Sequence, residues 1–275
     1  MQQLDAPKIV QIETCAYCNA RCVFCPHSMM KRPMGKMSDE LFKKIIDDCK
    51  EIKPLRIFPF LNGELFLDEK ILDRIKYIND ALPNTEVVIY TNGNLLTADK
   101  ARKLLELSIG GIVFSLNASN EQKYAELMGL DYKKTVANIR RFLEIRKEKG
   151  KPTPVCASII GEGVNSREEL RDFKKQWSAE GMDVMAVPFK NWAAKLGEPT
   201  NVNTPCFRAL EQMTILWDGR VSLCCMDNEG EVILGDTKEN TIREIWNGER
   251  AKSVRKAHLE GLRQTLPLCN VCTGA

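Results

Sequence analysis

The stretch Cys18-Asn19-Ala20-Arg21-Cys22-Val23-Phe24-Cys25-Pro26 follows closely on Lys8–Thr14, a short β-rich run, and its reading orders the rest of the chain. Three thiols so closely spaced can fold as one loop around a single inorganic centre. Outside an oxidising compartment, such cysteines are metal or cluster ligands rather than disulfide partners. Three ligands are one fewer than a closed tetrahedral or cubane site takes, so one position stays open for chemistry. A ligand loop just after a strand also suggests a parallel sheet, whose binding sites lie beyond the carboxyl ends of its strands.

The pattern downstream fits that suggestion. Ser38 reads as an N-cap before the periodic run Leu41, Ile45, Ile46, and Arg56–Phe60 as a second strand. A helix from about Asp68 stops at Pro83, Val87–Thr91 is a third strand, and Thr97 caps a helix to about Leu107. Gly110–Leu116 is a fourth strand, with helix to near Gly150. Val155–Ile160 is a fifth, Ser166-Arg167-Glu168-Glu169 a capping box, and Asp183–Pro188 a sixth strand. Strand–helix alternation of this kind predicts an α/β fold of right-handed βαβ units. Polar residues stand at the predicted strand ends: Asn62-Gly63-Glu64, Asn92-Gly93, Ser115 with Asn117, Ser158, and Lys190-Asn191-Trp192. Their gathering on the rim that carries the cysteines locates an active site.

From Pro188 to Pro205 the chain reads as an aperiodic linker. Beyond it, Met213–Trp217 and Arg220–Cys224 flank Asp218-Gly219, a strong hairpin signal. The predicted domains are therefore residues 1–189, a linker at 190–205, and a small unit at 206–275. Cys206, Cys224, Cys269 and Cys272 form a second ligand group there.

Composition narrows the function. The chain has 275 residues, 44% hydrophobic, enough for a sizeable core. A net charge of +3 and a pI near 8.2 are too mild to imply nucleic-acid or membrane partners. No stretch is apolar enough to span a bilayer and Met1–Pro7 lacks a signal-peptide core, so a cytoplasmic location is expected. Eleven cysteines, an odd number, beside only two histidines disfavour both a disulfide framework and a mixed Cys/His finger. Cys49 and Cys156 read as core residues, and His258, in a charged helix, as exposed.

At this point Cys18-x3-Cys22-x2-Cys25, with Phe24 before the last cysteine, resembles the signature of radical S-adenosylmethionine (radical SAM) enzymes. Asn62-Gly63-Glu64 resembles the family's glycine-glycine-glutamate stretch, with Asn in place of the first glycine. The resemblance implies a partial (β/α)6 TIM-like barrel whose three thiolates hold a [4Fe–4S] cluster. S-adenosyl-L-methionine would chelate the open iron, and an electron from an external flavodoxin- or ferredoxin-type donor would release a 5′-deoxyadenosyl radical. It further implies cofactor contacts from Phe24, Asn62, Gly63, Glu64, Asn92, Ser115, Asn117, Ser158 and Gly161. The second group resembles a twitch domain, a shortened SPASM module, in which Cys206, Cys224, Cys269 and Cys272 would close an auxiliary [4Fe–4S] cluster.

The spacings within that group look like those of twitch-type dehydrogenases acting on aminocyclitols. The implied reaction is oxidation of a carbinol on a small polar metabolite, with the auxiliary cluster as electron acceptor. Lys190 stands near the position of a substrate-side arginine in those enzymes and is a candidate base or anion partner. Cys15 and Cys225 adjoin the ligand groups, and either could instead return a hydrogen atom to a substrate radical. That would make the protein an epimerase or a peptide-modifying enzyme, although the few residues before the first strand argue against a peptide-recognition domain there. A zinc knuckle completed by His27 or Cys15, with a zinc ribbon at Cys269–Cys272, is the non-catalytic alternative.

Overall fold

Alternation of side-chain direction along each strand sends one set of residues into a helix-packed layer. Val10 and Ile12 of β1 (Ile9–Ile12), Ile57 of β2 (Arg56–Phe58), and Val87 and Ile89 of β3 (Glu86–Thr91) are buried there. So are Ile112 and Phe114 of β4 (Gly111–Ser115), and Ala157 and Ile159 of β5 (Val155–Ile160). They pack on Phe42, Ile45 and Ile46 of α1 (Asp39–Ile52), Ile75 and Ile78 of α2 (Ile71–Ala81), and Leu104 of α3 (Ala98–Leu104). Each such side chain contributes about 1.5–3 kcal/mol by leaving water. On the opposite face Phe58, Phe60 and Tyr90 stay half-buried, with Phe60 and Tyr90 stacked at 4.9 Å.

The computed structural model describes residues 4–274. The helical region after β4 is two helices, α4 (Glu121–Met128) and α5 (Tyr132–Glu148), separated at Gly129, whose φ of 65° ends the first. The capping box of α6 (Arg167–Ala179) forms with both halves present, Ser166 to Glu169. With β6 (Asp183–Val187), the first six strands pair in parallel in chain order, the partial barrel expected from sequence.

The C-terminal part continues the sheet of the barrel. After α7 (Phe207–Glu211), strand β7 (Gln212–Ile215) pairs in parallel with β1, Ile9 opposite Gln212 and Ile12 opposite Ile215. Strands β8 (Arg220–Ser222) and β9 (Ile233–Asp236) then add antiparallel, giving one nine-stranded sheet. Gly219 makes the predicted turn with φ 94°. Helices α8 (Ile242–Asn247) and α9 (Glu249–Leu259) cover this end. The aperiodic segment before α7 carries no helix or strand, yet it is pinned. Asn191 is buried, donates to the carbonyls of Glu198 and Val271, and accepts from Thr273 N–H.

Candidate active site and a second cysteine cavity

The loop after β2 lies hard against the backbone that leads into the cysteines. A Cβ on Gly63 would stand 2.1 Å from the Cys15 carbonyl oxygen and 2.7 Å from that of Tyr17, so only glycine fits. The next residue, Glu64, donates its N–H to the Tyr17 carbonyl at 2.8 Å. Its carboxylate is buried and accepts from Thr91 Oγ1 at 2.6 Å, Asn92 N at 2.9 Å and Phe66 N at 3.2 Å. Burial nonetheless pushes the Glu64 carboxyl above its usual range. An ammonium group brought to it would restore the charge balance. Asn92 continues the network by donating to Asn19 Oδ1, inside the cysteine loop, at 2.8 Å.

Burial pushes the Cys18 thiol up to about 12 and raises those of Cys22 and Cys25. Cys18 and Cys25 also act on Cys22 as like charges, which raises it further. Three thiols in this state need cations to become thiolates, and bound iron would supply that charge. The Cys22 sulfur touches Met128 Sδ at 3.4 Å, and the His27 ring is already hydrogen-bonded to the Ala16 carbonyl at 2.8 Å. The Phe24 side chain packs on the main core while its carbonyl accepts the Trp192 indole N–H at 3.0 Å. Below the loop, Glu13 and Arg32 form a buried ion pair at 2.5 Å, and Arg32 Nε reaches the Asn228 carbonyl beyond β8. Asn62 donates to the same Glu13 carboxylate at 3.4 Å.

At the ends of β4 and β5 the predicted contact residues are close neighbours. Asn117, at φ 60°, accepts from Ile160 N at 3.1 Å, so it braces the two strand ends. Ser115 is opposite Ser158 in the ladder, and Ser158 Oγ donates to the Phe114 carbonyl at 3.5 Å. Gly161 donates its N–H to the Val187 carbonyl at 2.8 Å. Cys156, expected in the core, is half-buried instead, because its position on β5 points away from the helices. Cys49 is fully buried as expected.

The second group converges as well. Cys206, Cys224, Cys269 and Cys272 line one enclosed cavity together with Arg208, His258 and Arg263. Arg263 is buried and donates to the Cys272 and Thr204 carbonyls, leaving its Nε without a partner. Arg208 Nη1 is likewise buried and unpartnered. Among the described residues neither arginine has a carboxylate within ion-pair distance. Burial pushes the Cys269 thiol up to about 11 and Cys224 well above its usual value. Four thiols facing two uncompensated guanidinium groups fit an anionic inorganic centre. Four thiol donors arrayed around one space suit a multi-iron cluster.

His258 corrects its sequence reading. It is 0% exposed. Its ring faces Cys206 N at 3.3 Å through Nδ1 and Cys269 Sγ at 3.6 Å through Nε2. The signal was present in α9, where Ala251, Val254, Arg255 and His258 fall on one buried face at helical spacing. Counting charges in that helix obscured it. Arg263 gave no such signal, since a lone arginine after a helix reads as surface.

Lys190 donates to the Gly274 carbonyl at 3.1 Å, and burial followed by nearby Arg208 lowers its pKa. Cys225 packs with Trp192, Ala193, Met226 and Cys272, beside the cavity but not lining it. Cys15 is buried and influenced by Asp68, Lys36 and Glu13 rather than by the three loop thiols. Trp217 packs over Gly35 and donates its indole N–H to the Pro33 carbonyl.

Each cysteine group falls inside a stretch matched by a protein-family model. The radical SAM superfamily model matches residues 12–176. The chain belongs to the radical SAM superfamily. A SPASM iron–sulfur cluster-binding domain model matches residues 206–273. Membership implies S-adenosylmethionine with one [4Fe–4S] cluster, and the SPASM match implies auxiliary iron–sulfur binding. The chain is 25% identical over 270 residues to the S-adenosyl-L-methionine-dependent 2-deoxy-scyllo-inosamine dehydrogenase of Niallia circulans, covering 96% of this chain and 92% of that one. It is 29% identical to an AdoMet-dependent heme synthase of Methanosarcina barkeri, covering 98% and 89%. Among solved structures, BtrN in complex with AdoMet and 2-DOIA superposes with a TM-score of 0.72 at 21% identity, covering 100% and 95%. No described helix is long and apolar enough to cross a membrane.

Proposed function

We propose that this radical SAM oxidoreductase oxidises a carbinol carbon of a small polar polyol, of the cyclitol or amino-sugar class, to a ketone. The observation that carries the reading is the joining of two unlike cysteine sites, an open loop of three and a closed cavity of four. The bound S-adenosylmethionine and its cluster supply hydrogen-atom abstraction from the substrate C–H bond. Cys18, Cys22 and Cys25 would hold that cluster, and Glu64 would accept the methionine ammonium. Asn62, Gly63, Asn92, Ser115, Asn117, Ser158, Gly161 and Phe24 would frame the cofactor.

Cys206, Cys224, Cys269 and Cys272 would hold the auxiliary cluster, which would supply an acceptor for one electron, while a base would take the hydroxyl proton. The balance is two electrons and two hydrogens lost from the carbinol. Similarity to the inosamine dehydrogenase over nearly the full length of both chains supports the reaction class. The external donor is a low-potential flavodoxin- or ferredoxin-type protein, and the setting is cytoplasmic.

The test is anaerobic reconstitution followed by turnover with dithionite, S-adenosylmethionine and a panel of cyclitols and aminocyclitols. The expected result is a ketone product in step with 5′-deoxyadenosine. Formation of 5′-deoxyadenosine with substrate returned unoxidised but epimerised overturns the dehydrogenase reading.

A further inference from the structure

We infer that His258 is a positioning residue for the auxiliary cluster, donating an Nε2–H hydrogen bond to the Cys269 sulfur that raises the reduction potential of that centre. This rests on the reading that Cys206, Cys224, Cys269 and Cys272 hold the cluster. The tautomer follows from the surroundings. Cys206 presents a backbone N–H to Nδ1 at 3.3 Å, and a donor can be met only by an unprotonated ring nitrogen. The single ring proton of neutral imidazole therefore sits on Nε2, which faces Cys269 Sγ at 3.6 Å. One side chain thus touches two of the four ligand residues, through the backbone of one and the sulfur of the other.

The consequence for redox behaviour has a definite sign. Reducing a cluster adds negative charge that spreads onto its thiolates, so a donor at a sulfur favours the reduced form. A centre that takes an electron from a substrate radical benefits from such a donor. His258 is held for the role by α9, which buries it beside Ala251, Val254 and Arg255. Arg263 adds positive charge on the same side without contacting the sulfur through a recorded hydrogen bond.

The experiment uses the full chain carrying Cys18→Ala, Cys22→Ala and Cys25→Ala, so that the auxiliary centre is the sole cluster. Absence of about four irons per chain from this protein sinks the cluster reading, and this inference with it. Given the iron, redox titration followed by electron paramagnetic resonance compares the parent with His258→Leu and His258→Gln. Leu should shift the midpoint negative by on the order of tenfold in the oxidised-to-reduced ratio, about 59 mV for one electron. Gln, which keeps an amide N–H, should stay near the parent. An unchanged midpoint in His258→Leu with full iron overturns the assignment. Should the Leu variant not retain its cluster, 15N-histidine labelling of the parent decides. Weak 15N coupling with an exchangeable proton supports the hydrogen bond. Absent coupling, or the strong coupling of a direct iron–nitrogen bond, overturns it.

Discussion

Trp192 donates its indole N–H to the carbonyl of Phe24, 3.0 Å away, so a residue beyond the sixth strand grips the loop that carries Cys22 and Cys25. The same segment packs against the second cavity through Ala193, Met226 and Cys272. Trp192→Phe keeps the ring and loses the bond, worth about 1 kcal/mol. The loop should release its cluster roughly fivefold faster under chelator challenge, followed by loss of the iron–sulfur absorbance.

Gly63→Ala tests the closest backbone approach in the site. The added methyl meets two carbonyl oxygens that cannot rotate away, at 2.1 and 2.7 Å. We expect about 2–4 kcal/mol of destabilisation and loss of S-adenosylmethionine cleavage. Gly150→Ala, where nothing lies within 4 Å of the new methyl, should cost only about 1–2 kcal/mol for its positive φ. Equal melting shifts in the two metal-free variants would contradict the steric account.

Glu64 sets a pH dependence. Its folded-state carboxyl holds its proton more tightly than the ordinary value of 4.5, because burial outweighs three donors. The stability this proton confers is present at low pH and is lost as pH rises through the shifted value. Relative to Glu64→Gln, which does not titrate, the metal-free wild type should therefore lose stability across that window. Cofactor affinity should run the other way, weakening as pH falls and the carboxylate protonates. Calorimetric melts and equilibrium binding at stepped pH check both trends.

Arg263 is a buried cation with no carboxylate partner among the described residues, and on the proposed reading the auxiliary cluster would supply its counter-charge. Arg263→Met should lower reconstituted iron from about eight per chain towards four while S-adenosylmethionine cleavage without substrate persists. Retention of full iron with an unchanged spectrum would show that the guanidinium is not the cluster's charge partner.

Cys225 distinguishes reaction outcomes. Packed beside the cavity, it is next to a ligand rather than in the ring of four. In Cys225→Ala, ketone formation should continue at within about threefold of wild type, a change of less than 1 kcal/mol in barrier. Solvent deuterium should not enter the substrate carbon. Deuterium incorporation that disappears in the variant would instead identify Cys225 as a hydrogen donor.

The barrel and its rim were legible because they rest on local rules. Val87–Thr91 alternates, Ser166 and Glu169 form a box three residues apart, and strand ends in parallel sheets collect function. What sequence could not convey is long-range pairing. Nothing in Gln212–Ile215 says that it pairs in parallel with Ile9–Ile12. The burial of Arg263 was hidden for a related reason, since the Thr204 and Cys272 carbonyls that receive its guanidinium are brought to it only by the fold. His258 was legible in the spacing Ala251, Val254, Arg255, His258, but composition misled the reading.

The parallel seam between β1 and β7 limits how the molecule can admit its substrate. Lys8 N–H donates to the Glu211 carbonyl and Glu13 N–H to the Ile215 carbonyl, so the seam is closed at both ends. Moving the C-terminal strands aside as a lid would break the β1–β7 ladder inside a nine-stranded sheet. The doorway is therefore to be sought at loops that can part without unzipping the sheet, since a hinge between the barrel and its hairpin would cost their shared ladder of hydrogen bonds.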